Sequence, residues 1–347
     1  ASGDNPANLL SIYCLGVDAG PDNKGMINIL RNFVAACRKV SFVVVFCKFH
    51  QAHIIAGAAL TALDEWEWQT GEDEVEKQNM NTNIKYWSAV ATVANVWRSP
   101  GTHRKLQNAA CDAFSNQISL EFFSKQPGRP LKGRWGRVES VEQIICAGRA
   151  FLGKVFARVF GQAEQQAQKE KKKPAKKAGG DEDKNFKEEW TKYRSNSTKA
   201  LNQGGFHAKV YISVYVKQPL TYFFNWAQKA VKQRSKMSQE SIDNIGAPPM
   251  IHTPLSKLVG FQAAEVSARY SALLDNSQLE ARTGLAPVFE LIPAQYGHDV
   301  RELVVGLVLL QAAQWNMRFT VPCESFPLLL LRMVEEPPDV DSRIRRH

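Results

Sequence analysis

The sequence predicts an α/β unit followed by a mostly α-helical remainder. Three observations carry that reading: two short, wholly apolar runs near the start, a helical repeat between them, and helical periodicity through most of the chain beyond residue 70. With 347 residues, 44% of them apolar, the chain is long enough for two domains or one large one.

"LLSIYCLGVDAG" reads as a buried strand that ends at Asp18 in a turn rich in Gly, Pro, Asp and Asn. "NKGMINILRNFVAACRKV" then sets Met26, Ile29, Leu30, Phe33, Val34 and Cys37 at helical spacing. "SFVVVFCKF" is a second strand, apolar on both faces, and two such strands separated by a helix predict a parallel pair in a covered sheet. Cys47, His50 and His53 follow at its carboxyl end, near the level of Asp18, on the sheet edge where sites are usually built.

After Trp66 the character changes. "DEWEWQTGEDEVEKQN" is an acidic, polar break, and helices are predicted at about residues 82–97, 103–123 and 138–160. Between the last two, "SKQPGRPLKGRWGRVES" is a basic Gly/Pro loop whose only large apolar residue is Trp135. Residues 162–183, "QAEQQAQKEKKKPAKKAGGDED", hold almost no large apolar residue and read as a flexible linker, because such a segment cannot bury enough surface to offset its ordering entropy. "FHAKVYISVYVKQPLTYFFNWAQKAV" is ambiguous: β-branched at first, with a helix from about Leu220 after Pro219. "PLSKLVGFQAAEVSARYSALLDNSQ" and "HDVRELVVGLVLLQAAQWNMRF" are clearer helices, and the polar tail is expected to fray. The organisation predicted is a partial α/β unit at 1–70, a helical region with an Arg-Trp segment at 71–161, a Lys-rich linker at 162–189 and a helical domain at 190–347.

The net charge of +10 and the pI near 9.3 favour an anionic partner. Six scattered cysteines without paired spacing predict reduced thiols in an intracellular protein. No apolar stretch approaches the roughly 20 residues that span a bilayer, so no membrane partner is expected. Ala1 in place of an initiator Met, without a leader pattern behind it, suggests a trimmed chain or a fragment.

The stretch "VFCKFHQAHIIAGAALTALDEW" leaves three readings open: a zinc site, a nucleophilic Cys47 activated by His50, or a packing feature of a strand-to-helix junction. Against zinc, the segment offers at most three ligands and no second Cys or His pair matches it elsewhere. Against a nucleophile, Cys47 sits in an apolar run. Asp18 either holds a divalent cation at the strand end or caps the turn, a role for which Asp22 and Asn23 compete. Arg129, Lys132, Arg134 and Arg137 surround Trp135, so the loop could stack a base while its guanidinium groups hold phosphate; the competing reading plugs Trp135 into the helical domain. Lys169, Lys171–Lys173, Lys176 and Lys177 serve either as a phosphate grip or as a solvated linker. No phosphate loop or dinucleotide fingerprint is present.

In order along the chain, "GVDAGPDNKGMINIL", "VFCKFHQAHIIAGAAL" and "GRWGRVESVEQII" resemble the Asp-turn, Cys-x-x-His and Arg-Trp segments of hAT-type transposases. The resemblance covers about residues 11–160. It implies a partial RNase H-like sheet with a large inserted helical domain, with Asp18 as a metal-binding acid and Cys47 and His50 as a feature of the strand-to-helix junction. It also implies a nuclear, DNA-associated protein that uses Mg²⁺ if it is catalytically competent. The family's other acidic ligands have no assigned position. Asp4 lies in a Gly/Asn/Pro context, and nothing selects among Glu265, Glu302 and Glu335. One Asp cannot hold two metal ions, so strand cleavage and transfer are not expected of this chain. The alternatives are a non-enzymatic nucleic-acid-binding helical protein, and a structural subunit of a homo-oligomer or larger assembly whose apolar C-terminal helices form the interface.

Overall fold

The computed structural model describes residues 14–17, 21–38, 43–46, 48–70, 74–81, 84–113, 117–130, 135–171, 181–235, 255–274 and 284–320. Among them the only strands are β1 (Cys14–Val17) and β2 (Val43–Phe46), which pair in parallel with Cys14 opposite Val43 and Val17 opposite Phe46. Helix α1 (Pro21–Arg38) connects them. The later helices are α2 (Lys48–Glu65), α3 (Glu74–Met80), α4 (Tyr86–Arg98), α5 (Pro100–Ala113), α6 (Gln117–Ser124), α7 (Trp135–Ala147), α8 (Arg149–Lys171), α9 (Asp181–Leu201), α10 (Gly204–Val216), α11 (Gln218–Ser235), α12 (Leu255–Leu274), α13 (Ala286–Leu291) and α14 (Gly297–Trp315), the last closing in a π turn over Asn316–Thr320.

The expected fold class is therefore corrected. Two four-residue strands bonded only to each other do not make an RNase H-like sheet, and among the described residues the protein is helical apart from that pair. The reason is physical: an apolar run covered on all sides has the same composition as a buried strand or a buried helix, and periodicity does not separate them. "FHAKVYISVYV" is the clearest case. Its β-branched residues favour a strand, yet it forms α10, because nine of its eleven positions are buried by neighbouring helices. Two helix starts have local causes. Pro219 falls in the first turn of α11 and Pro100 opens α5, positions where the missing N–H costs nothing.

The chain divides into two compact units, neither continuous in sequence: residues 1–55, 219–271 and 311–347, and residues 56–218 and 272–310. The first holds the strand pair, α1, the start of α2, and most of α11 and α12. Its core is aromatic. Trp315 stacks on Phe319 at 3.8 Å, and Phe223 meets both rings edge-on at 5.2 Å. The Trp315 indole donates to the Ala263 carbonyl at 3.0 Å, so the ring is fixed from α12 as well as by stacking.

The second unit is organised around α10, which packs against α3, α7, α9 and α13. Its first turn admits no side chain. A Cβ at Gly205 would lie 2.0 Å from the Met80 carbonyl oxygen, and one at Gly204 would lie 2.8 Å from that of Leu291, both backbone atoms at the ends of other helices. Glycine is required here for close approach. The loop before α3 is held by Asp299 of α14, whose carboxylate accepts the Gln69 N–H at 2.8 Å and the Thr70 N–H at 3.0 Å and also bonds the Thr70 hydroxyl.

The Lys-rich stretch expected as a linker is helical at both ends: α8 runs on to Lys171 and α9 begins at Asp181, while residues 172–180 lie outside the described residues. The acidic break contains the short helix α3, and Trp68 within it is buried. The helix expected over 138–160 is two helices separated at Gly148.

Candidate functional site

Polar side chains collect inside the second unit on α10 and at its end. His207, Lys209, Ser213 and Lys217 are all buried, and each has a partner. Lys209 reaches the last carbonyls of α2, donating to Leu63 O at 3.3 Å and to Trp66 O. An ammonium there satisfies carbonyls that the helix leaves open and meets the negative end of its dipole. Burial lowers the Lys209 pKa from 10.5 to about 8, with Asp64 and Glu67 opposing that shift. His207 faces the Leu201 carbonyl at 2.9 Å, and burial lowers its pKa, assisted by Arg149.

The densest cluster lies where α4, α7 and α10 meet. The Glu142 carboxylate accepts the Tyr86 hydroxyl at 2.7 Å, the Ser213 hydroxyl at 2.8 Å, and the Lys217 ammonium at 3.0 and 2.9 Å on its two oxygens. The Glu142 and Lys217 side chains are fully inaccessible. Burial, then the charge of Glu142, pushes the Tyr86 hydroxyl well above its ordinary pKa of 10.0. The same two causes push the Cys146 thiol, one turn along α7, up to about 12. A thiol so protonated is no nucleophile. The cluster has the residue types of a catalytic site, but its hydroxyl and ammonium donors converge on one carboxylate and solvent does not reach it. Its consequence is a fixed register for α4, α7 and α10. Sequence reasoning passed over it, although Glu142 interrupts the apolar face formed by Val138, Val141 and Ile145, and Lys217 ends the run Val214-Tyr215-Val216.

The residues singled out from the sequence fare differently. Asp18 and Cys47 lie outside the described residues, as do Asp4, Lys132, Arg134 and Glu335. His50 falls in the first turn of α2, directly after the junction with β2, and its side chain is outside the description. His53 stands one turn further on, with its ring 5.2 Å from that of Phe224. Among the described residues no group of three or more His, Cys, Asp and Glu is placed to hold a metal ion. Glu265 pairs with Arg269 at 3.0 Å on α12, and Glu302 lies 4.0 Å from His298 on α14, so neither faces a second carboxylate in these contacts.

The basic loop is partly visible. Pro127 and Pro130 are buried while Lys125 and Arg129 are exposed, so the prolines pin the segment and the cations project from it. Trp135 and Arg137, expected in the loop, belong to the first turn of α7, a correction to the predicted boundary; their side chains lie outside the description.

No protein family, curated protein or solved structure matches the chain. Among the described residues no helix is long and apolar enough to cross a membrane.

Proposed function

We propose that this chain is a non-enzymatic, mainly helical protein that associates with DNA in the nucleus. The observation that supports it is where the charge lies. Residues 98–158 hold eleven Lys and Arg against four Asp and Glu, a net +7 of the chain's +10. One of those four acids, Glu142, is paired with Lys217 inside the protein and subtracts nothing from the outer surface. Concentrated cationic surface binds phosphate backbones by releasing counterions.

DNA association is the part of the hAT resemblance that carries over. Strand cleavage and transfer do not carry over, because they require an RNase H-like sheet that the described residues lack, and Mg²⁺ is given no role. The test is binding of a DNA duplex by the purified chain over a salt series, with and without Mg²⁺. Binding that weakens steeply with salt and is indifferent to Mg²⁺ is expected; no binding at low salt overturns the reading.

One observation favours a second reading, a subunit of a homo-oligomer or larger assembly. Met26, Ile29 and Phe33 lie on one face of α1 with Ile29 72% exposed, and Val305 and Leu309 are exposed on α14. Sedimentation of the native chain beside Ile29→Glu and Leu309→Glu tests it. A concentration-dependent mass lost in either variant supports assembly, and a monomer throughout rules out self-association through these faces.

A further inference from the structure

We infer that the DNA-binding surface is built from two neighbouring rows of cations on α5 and α8, with Asp112 as a built-in competitor for one of them. This rests on the DNA-binding reading and gives it a place.

The rows follow from helix geometry. On α5, Arg104, Lys105, Asn108 and Asp112 are exposed and recur at three- and four-residue intervals, so they share one face. On α8, Lys154 and Arg158 are exposed one turn apart. The two helices pack against each other. Arg158 Nη2 lies 3.9 Å from Asp112 Oδ2, both side chains about half exposed or more. The outer faces of the helices therefore meet on the solvent side at that point, and each row continues back from it.

The direction of the helices follows from their aromatic residues. Phe151, near the start of α8, packs on Phe122 and Phe123, and those rings pack on Trp97, just before α5 begins. Both helices start at the same end, so Lys154 lies back along α8 toward the level of Arg104, Lys105 and Asn108. The result is a quadrilateral of Arg104, Lys105, Lys154 and Arg158, with one carboxylate at its edge.

This arrangement suits a duplex backbone. Lys154 and Arg158 are separated by about 6 Å along their axis. That is close to the axial rise of two nucleotides of one B-DNA strand, roughly 3.4 Å each. Among the described residues the cation–ring contacts are those of Arg194 with Phe160 and Arg269 with Tyr222, neither of which involves these four cations, so a duplex backbone suits this face better than the stacked bases of a single strand. Contacts of this kind position a protein on DNA without reading its sequence. Asp112 holds Arg158 through a long, solvated ion pair, the kind that a phosphate oxygen displaces readily.

The experiment compares native chain with three variants on a short duplex of mixed sequence, by fluorescence anisotropy across a salt series. The variants are Arg104→Ala with Lys105→Ala, Lys154→Ala with Arg158→Ala, and a control of equal charge loss on α9, Lys192→Ala with Lys199→Ala, both exposed. Each patch variant is expected to bind at least about tenfold more weakly and to flatten the slope of log K against log salt by roughly 1.8, or about 0.9 for each lost phosphate contact. The control is expected to change affinity by less than about threefold. Asp112→Asn, which frees Arg158 without removing a cation, is expected to tighten binding about two- to threefold. If the native chain binds but the control weakens it as much as the patch variants do, the location is overturned while the DNA reading stands. Tighter binding of a single strand than of the duplex overturns the duplex assignment. Unchanged or weaker binding by Asp112→Asn overturns the competition. No binding by the native chain removes both this inference and the reading beneath it.

Discussion

The second unit contains two pairs made from the same chemistry, a cation and a carboxylate carried on different helices. Lys217 and Glu142 meet at 2.9 Å with neither side chain accessible, and the carboxylate takes two further hydroxyl donors. Arg158 and Asp112 meet at 3.9 Å, with both side chains open to solvent. Identical charge types thus do opposite work. Inside, the pair is saturated and holds three helices in register. Outside, it is weak and exchangeable, which is the condition for a cation to serve a ligand. Residue type does not determine which pair is sealed and which stays exchangeable; desolvation and the number of donors on the carboxylate do.

The largest expected effect tests the interior pair. Glu142→Gln or Lys217→Met alone leaves a buried charge without its partner and should lower unfolding free energy by about 3–5 kcal/mol. The double variant Glu142→Leu with Lys217→Met should recover most of that loss. Urea denaturation of the three proteins measures it, and single and double variants with additive losses would show that the pair is not coupled.

Lys209 sharpens the comparison, because it is a buried cation whose hydrogen bonds go to carbonyls while Asp64 and Glu67 act on it only through their charge. Its pKa falls from 10.5 to about 8 through burial, so between those values the unfolded chain binds more protons than the folded one. Stability should therefore rise with pH across that window, on the order of 1–3 kcal/mol, the scale of a buried group's desolvation. Lys209→Met should flatten the rise, as measured by denaturation at successive pH values. His207 gives the acidic counterpart, since burial lowers its pKa from 6.5 and the unfolded chain takes up the proton first as pH falls. Stability should be lost on acidification below about 6.5, and His207→Gln should remove that component. The smallest effect belongs to the exterior pair: Asp112→Asn or Arg158→Ala should shift unfolding by less than about 1 kcal/mol. A larger loss would mean that the surface row is structural after all.

Legibility in the sequence tracked how local each cause was. Helices α2, α4, α12 and α14 follow from the spacing of apolar residues, as in Ala52, Ile55, Ala56, Ala59, Leu60 and Leu63 along α2. The α/β expectation failed because Leu9 to Val17 and Ser41 to Phe46 read as buried strands, and no local signal tells a pair from a full sheet. α10 is ambiguous in the sequence because its environment, the four helices around it, lies far away along the chain. The break at Gly148 was hidden by continuous apolar periodicity on either side. Of the site, the basic character of residues 125–137 was legible, but the rows on α5 and α8 were not. Arg104 and Lys105 are far from Lys154 and Arg158 along the chain, and only the packing of two helices makes them neighbours. The sealed cluster could have been suspected from Glu142 among valines and isoleucines.

Gly205 carries a consequence for kinship. Every other amino acid would place a carbon where the Met80 carbonyl oxygen already stands, 2.0 Å away. Any chain that keeps this crossing of α3 and α10 must therefore keep that glycine, whatever else in it changes. It is a fixed mark from which the remaining positions of a diverged relative can be counted.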